Sequence, residues 1–138
     1  MNDIIDAIKR KTSFSEVTVK EFAPAGKWAE TVAKGMEKMK TAQLRKLFTS
    51  IKQIERKVQG RENAEAFDSP ELYMLLPHLA YAHARKLVTP NFFDLMKTII
   101  GDGGNNAKIK TVGDFRQFVQ FMTAVVAYQK QFDTNKGN

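Results

Sequence analysis

KMKTAQLRKLFTSIKQIERKVQGR, residues 38–61, is the stretch from which the organisation of this chain is best understood. It contains eight lysine or arginine residues and one acid, Glu55, which gives it a net charge of +7. The whole chain has 22 basic and 15 acidic residues, so its net charge is also +7. The residues outside this stretch, 14 basic and 14 acidic, therefore sum to zero.

Apolar residues recur in this stretch with the period of an α-helix. At about 100° per residue they fall within about 120° of arc, the width of a stripe that faces a core. These residues are Leu44, Leu47, Phe48, Ile51, Ile54 and Val58. Arg45, Lys52 and Arg56 lie on one flank of the stripe, and Lys46 and Lys57 lie farther round. The pattern predicts a helix with one buried face and a row of cations on its surface.

A basic helix face is most often just a solvated surface. Here the whole excess of charge lies on one helix and the rest of the chain is neutral, which favours a surface for binding polyanions. An isoelectric point near 9.7 also indicates an acidic partner, with RNA, DNA and anionic lipid as the candidates.

Composition narrows the classes of protein to consider. The absence of cysteine excludes disulfides, thiol nucleophiles and thiolate metal sites, and fits a reducing compartment. The first residues, MNDIIDAIKRKTSF, do not have the pattern of a signal peptide. No apolar run approaches the roughly twenty residues needed to span a bilayer. We therefore expect a cytoplasmic protein with no membrane partner.

Helix start signals recur along the rest of the chain. Pro70 and Pro90 each follow a capping residue, as proline at a first helical position does. Pro77 predicts a kink or two short helices. Thr111 and Asp114 resemble a capping box that starts a last helix, running to about residue 132. That helix is apolar on nearly every side, which is typical of a bundle centre or a subunit interface.

The sequence predicts an all-α protein, a compact bundle of about five main helices with the basic helix on the surface and the apolar C-terminal helix in the core. Residues 1–20 are predicted to be an N-terminal arm, partly helical or mobile, since a helix over 1–11 is too short to be stable alone. Residues 12–23 look like an irregular connector, and a helix is expected from Pro24. The helical domain spans 21–133, followed by a disordered tail at 134–138.

Candidate catalytic residues are few. His78 and His83 are five positions apart and so point about 140° away from each other on a helix, unlike an i, i+4 metal pair. No nucleophile motif is present, and the acids lie in polar or terminal segments. We predict a protein that is not an enzyme and has no cofactor, no metal and no small-molecule substrate.

Three segments together resemble one family. They are TAQLRKLFTSIKQIERK (41–57), LLPHLAYAHAR (75–85) and FVQFMTAVVAYQKQF (118–132). In that order and spacing they are similar to the small subunit of the type III-A CRISPR effector, the Csm complex. The resemblance implies a helical, non-catalytic subunit whose copies stack beside the guide RNA and its paired target RNA, while other subunits cut the target. Its implied partners are those RNAs, the other Csm subunits and further copies of itself, as a dimer or filament.

By this resemblance Arg45, Lys46 and Arg85 are the motif positions expected to contact RNA. Lys52 and Arg56 join them because they lie on the same helix flank as Arg45. Such cations mainly contact phosphate, so binding should be independent of sequence and sensitive to salt. For Arg85, capping of the carboxyl end of its own helix is the alternative.

Two other functions stay open at this point. A helical DNA-binding regulator would carry its basic residues at the start of a short second helix, whereas here they spread along about four turns. A protein-interaction adaptor would use the apolar last helix, and self-association through that helix is expected in any case.

Overall fold

The structure, a computed structural model, describes residues 1–36, 39, 41–102, 104 and 106–137, with side chains as far as residue 132. Over these residues the chain is helical, and one isolated bridge joins Ala66 to Thr111. The α-helices are α1 (Asn2–Arg10), α2 (Val19–Phe22), α3 (Trp28–Lys34), α4 (Thr41–Lys57), α5 (Pro70–Ala84), α6 (Pro90–Ile100) and α7 (Val112–Gly137). A 3₁₀ turn spans Phe14–Glu16. The predicted all-α fold is confirmed.

Helix α7 is the centre of the bundle. It contacts α2, α3, α4 and the 3₁₀ turn. The rings of Phe115, Phe118 and Phe121 are fully buried. Phe14 packs edge-on against two of them, with ring centroids 5.9 Å from Phe118 and 5.7 Å from Phe121. The prediction of an apolar C-terminal helix in the core is confirmed, because this aromatic face is filled by the chain's own side chains.

Helix α4 lies on the surface of the bundle, as predicted. Its stripe packs on α7 and buries Leu44, Leu47, Ile51 and Ile54. The opposite face, which carries the cations, is exposed. Beyond α4 the order across the bundle is α5, α6 and α1, each helix in contact with the next.

The first residues of the chain contact the rest of the bundle. Helix α1 buries Ile4, Ile5 and Ile8 and lies against α6. The ammonium group of Lys108 donates hydrogen bonds to the carbonyl oxygens of Lys9 (3.1 Å) and Lys11 (2.6 Å), and so closes the carboxyl end of α1. The proposed boundary at residue 20 stays a prediction.

Several local expectations differ from the structure. The segment expected to be an irregular connector contains the 3₁₀ turn and α2, because Thr18 and Glu21 form a capping box that the sequence reading overlooked. The helix expected from Pro24 begins at Trp28. Of the two alternatives predicted at Pro77, two short helices are excluded, because α5 is one helix with Pro77 inside it and buried leucines on either side of the proline, and a kink stays a prediction.

The predicted disordered tail and the start of the basic stretch lie partly outside the described residues. Helix α7 continues beyond residue 132 to Gly137, so the predicted disordered tail overlaps its backbone, and Asn138 lies outside the described residues. Lys38 and Lys40, two cations of the basic stretch, also lie outside them.

Within the described residues, no helix has both the length and the apolar character needed to cross a bilayer.

Candidate nucleic-acid interface

Helices α4 and α5 lie side by side in opposite directions. Near the loop that joins them, the ammonium nitrogen of Lys57 lies 2.6 Å from a carboxylate oxygen of Glu71. Toward the other end, Arg45 and Lys46 on α4 and Tyr81 on α5 line a shared open groove of about 760 Å³. The start of the basic helix therefore faces the end of α5.

The groove has an apolar floor and a polar rim. Leu47, Leu75 and Leu79 are among the buried side chains that line it. Amide and hydroxyl side chains of α4, including Gln43 and Gln53, lie along its rim. The lining residues that the structure describes include two cations and no acid, so this groove is electropositive.

Two of the predicted RNA-binding residues line this groove directly. Arg45 and Lys46 are both exposed. Within the described part of the chain, neither side chain has a hydrogen bond or ion pair. No carboxylate that the structure describes therefore neutralises their positive charges, and both are exposed to an anionic ligand.

The other two predicted residues on α4 lie outside the groove. Arg56 is exposed on the flank of the helix, and among the described residues its guanidinium has no ion-pair partner. Lys52 differs, because its ammonium nitrogen lies 2.6 Å from a carboxylate oxygen of Glu55, one turn along the helix. A half-exposed pair within one helix stabilises the fold by only about 0.3–0.5 kcal/mol, so Lys52 could exchange Glu55 for a phosphate at low cost.

The two remaining described cations of the basic stretch are also paired. Lys57 contacts Glu71, and Arg61 lies 3.4 Å from Glu65 while also donating to the carbonyl of Ala66. These pairs secure the loop between α4 and α5. The unpaired charge of α4 is thus concentrated at Arg45, Lys46 and Arg56 within the described residues.

Arg85 stands just after α5 and is directed back along it. Its guanidinium carbon lies 5.7 Å from the centroid of the Tyr81 ring, a cation–π contact. The carboxyl end of α5 is closed by backbone groups, since the N–H groups of Lys86 and Leu87 donate to the carbonyls of His83 and Ala82 at 2.9 Å. Among the described residues, the Arg85 side chain therefore contacts Tyr81 and does not cap the helix. Arg85 therefore adds its charge beside the groove.

The family model described as Csm2 Type III-A matches residues 20–135, a range that includes α4, α5, and most of α7. This chain belongs to the Csm2 family. It is a small subunit of the type III-A CRISPR effector, the Csm complex, where it serves as a structural component together with the other Csm subunits. No curated protein and no solved structure matches the chain.

The two histidines of this Csm2-family chain do not converge. His78 lines the groove, whereas His83 packs its ring against Phe93 with centroids 5.1 Å apart. Among the residues that the structure describes, no three histidine, cysteine or acidic side chains are grouped so as to hold a metal ion. His78 and His83 thus have different surroundings, one at the groove and the other beside Phe93.

Tyr81 is the residue of the groove that sequence reasoning missed. Its side chain is 67% exposed, the largest exposure among the large hydrophobic residues described. Its neighbours along α5 are apolar, so its spacing alone looked like core. The signal that could have revealed it is the position of Arg85 four residues later, which on a helix lies over the same face.

Proposed function

We propose that this Csm2-family subunit binds the guide RNA and its paired target RNA without sequence preference, through the exposed faces of α4 and α5. In doing so it supports the position of the target for cleavage by other subunits. The observation that carries the proposal is the set of cations on α4 that have no ion-pair partner among the described residues. This helix forms the middle of the stretch 38–61, whose charge of +7 equals the net charge of the chain.

Arg45 and Lys46 are the centre of the proposed contact, because both are exposed and both line the electropositive groove. Arg85 extends it at the end of α5. Arg56 extends it along the flank of α4, where successive cations lie one or two helical turns apart. Lys52 joins when it leaves Glu55, so its contribution is expected to be smaller than that of Arg45.

Contacts of this type are made to phosphate, which every nucleotide carries. Cations that neutralise phosphates release condensed counterions, so affinity falls as salt rises. A subunit that must accept any guide benefits from contacts that do not read bases, because base pairing between guide and target already provides the sequence recognition.

The adaptor alternative through α7 loses its main support in the structure. Three of its aromatic residues, Phe115, Phe118 and Phe121, are buried in the bundle, where α7 contacts α3, α4 and the 3₁₀ turn. Self-association stays part of the proposal, but it would have to use another surface of the bundle.

A salt series tests the proposal and separates it from DNA regulation. The purified full chain is titrated, by fluorescence anisotropy, into a mixed-sequence single-stranded RNA, the same RNA paired with its complement, and the matching DNA duplex. We expect binding to both RNA forms, with a slope of log affinity against log salt of about −2 to −4, as three to five phosphate contacts give. We expect weaker binding to the DNA duplex, whose groove geometry differs from the A-form of RNA.

Two results would contradict the proposal. A preference for the DNA duplex would support a regulator instead. A slope near zero for all three nucleic acids would mean that the basic face of α4 is a solvated or protein-docking surface.

A further inference from the structure

Tyr81 and the groove beside it have features that phosphate binding does not require. Single exposed hydrophobic side chains are common on protein surfaces and need no special explanation. Tyr81, however, lines the rim of the groove and has the guanidinium of Arg85 over its ring at 5.7 Å. An exposed aromatic ring that is oriented by an arginine is a suitable platform for stacking a nucleobase.

The groove has the size and lining of a site for a small planar ligand. Its volume of about 760 Å³ falls within the range of about 300–1,000 Å³ that is usual for ligand pockets. The leucine floor can bury the face of a ring. Around the rim, Gln43, Ser50 and Gln53 each have both donor and acceptor atoms, so they could pair with the edge of any base.

The charge around the groove indicates which kind of ligand it takes. Arg45 and Lys46 line it without any described acid among the other lining residues, and the guanidinium of Arg85 lies over the Tyr81 ring. An apolar helix from another protein would leave these cations buried without partners, which is costly. A nucleotide, in contrast, brings its own phosphate to the cations and its base to the apolar floor.

We infer that the groove between α4 and α5 receives one unpaired base of the bound RNA, stacked on Tyr81, while Arg45 and Lys46 hold the phosphates next to it. This inference rests on the proposed function, because it places one nucleotide of the same RNA. Tyr81 supplies affinity for a base that has left the duplex, and the cations supply affinity for any RNA backbone.

The test compares two RNA duplexes that differ by one base. One duplex is fully paired, and the other carries a single bulged 2-aminopurine, whose fluorescence falls when it stacks. Each is titrated with the full-length wild type and with Tyr81→Ala, Tyr81→Phe and Met74→Ala. Met74 is the matched control, since it is 51% exposed seven residues earlier on α5, on the same side of the helix, and is not among the lining residues.

We expect wild type to bind the bulged duplex at least fivefold more tightly than the paired one and to quench the 2-aminopurine. Tyr81→Ala should lose about 5- to 100-fold of affinity for the bulged duplex, as loss of one stacked base does. It should leave affinity for the paired duplex and the salt slope unchanged. Tyr81→Phe and Met74→Ala should bind both duplexes as wild type does, because each variant has an aromatic ring at position 81.

Each failure has a distinct meaning. Equal binding of both duplexes by wild type, with a normal salt slope and no effect of Tyr81→Ala, would overturn the base site and leave the phosphate-binding proposal standing. If neither duplex binds with a salt slope, both proposals are overturned. A Tyr81→Ala variant that keeps full RNA affinity but no longer joins the other Csm subunits would assign the groove to protein docking and overturn the base site.

Discussion

Reversing the charge of both groove cations, Arg45→Glu with Lys46→Glu, is expected to lower affinity for RNA at least tenfold at moderate salt. Each substitution removes a phosphate contact and places a carboxylate near the RNA backbone. For single-stranded RNA each lost contact reduces the slope of log affinity against log salt by about 0.7, so the slope should become flatter by about 1.4. Anisotropy over a salt series measures both quantities in one experiment.

A matched variant separates the position of these charges from their number. Lys20→Glu with Lys27→Glu changes the net charge by the same amount at exposed positions away from the groove. Lys20 lies on α2 and Lys27 just before α3, and both helices contact α7. This control should keep the slope of wild type and lose little affinity. Equal losses in both double variants would show that overall charge, rather than the α4 surface, attracts RNA. Lys20 and Lys27 are exposed, so the free energy of unfolding of this control variant should differ from that of wild type by less than about 1 kcal/mol.

Loss of the Asp114 carboxylate is expected to destabilise the fold more than loss of any surface charge. Asp114 is only 2% exposed. Its oxygens accept hydrogen bonds from the backbone N–H groups of Ser15 (3.0 Å), Lys110 (2.9 Å) and Thr111 (3.1 Å), and from the Ser15 hydroxyl (2.5 Å). These bonds connect the 3₁₀ turn to the start of α7. Asp114→Ala should cost about 3 kcal/mol, since several donors lose their acceptor together.

Thermal or urea unfolding of the variant measures this cost, with Asp94→Ala as the control. Asp94 is exposed, and among the described residues its carboxylate contacts only Lys97, in an i, i+3 pair at 3.3 Å, so its loss should cost less than about 1 kcal/mol. For Asp114→Ala a fall in melting temperature of about 10 °C is expected for a domain of this size. Similar melting temperatures for the two variants would contradict the anchoring role of Asp114.

The pH dependence of stability gives an independent check on Asp114. Burial raises the pKa of this carboxyl, but its hydrogen bonds from Ser15, Lys110 and Thr111 outweigh burial and hold the pKa below the ordinary value of 3.8. The ionised form is thus favoured by folding, and its stabilisation is complete above pH 3.8 and lost as pH falls through the lowered pKa. The difference in unfolding free energy between wild type and Asp114→Ala should therefore shrink below about pH 4.

The helices were predictable where apolar spacing and capping signals agreed. The stripe of α4 and the Thr111–Asp114 capping box are local patterns, and both are found where they were predicted. What Asp114 does beyond its own helix could not be predicted, because Ser15 is 99 residues away in the chain. Similarly, the Lys108 bonds that close α1 join segments whose proximity only the packed structure determines.

The candidate site was predictable as a charge pattern but not as a surface. Sequence spacing placed Arg45, Lys52 and Arg56 on one flank, yet it could not show that Lys52 contacts Glu55 while Arg45 has no ion-pair partner in the described part of the chain. Lys46 looked more remote on the helix, but the position of α5 brings it to the groove. Tyr81 was hidden for the same reason, since exposure of an apolar residue depends on which neighbours the fold provides.

Cross-linking in the assembled complex tests the central claim most directly. The complex is reconstituted with this subunit, a guide RNA and a target RNA containing 4-thiouridine at successive positions, irradiated, and analysed by mass spectrometry of its peptides. RNA binding by α4 and α5 predicts that the cross-links in this subunit fall within residues 41–61 and 70–86. Cross-links confined to α1 and α6, with none in those two ranges, would contradict it and assign the basic helix to contacts with protein.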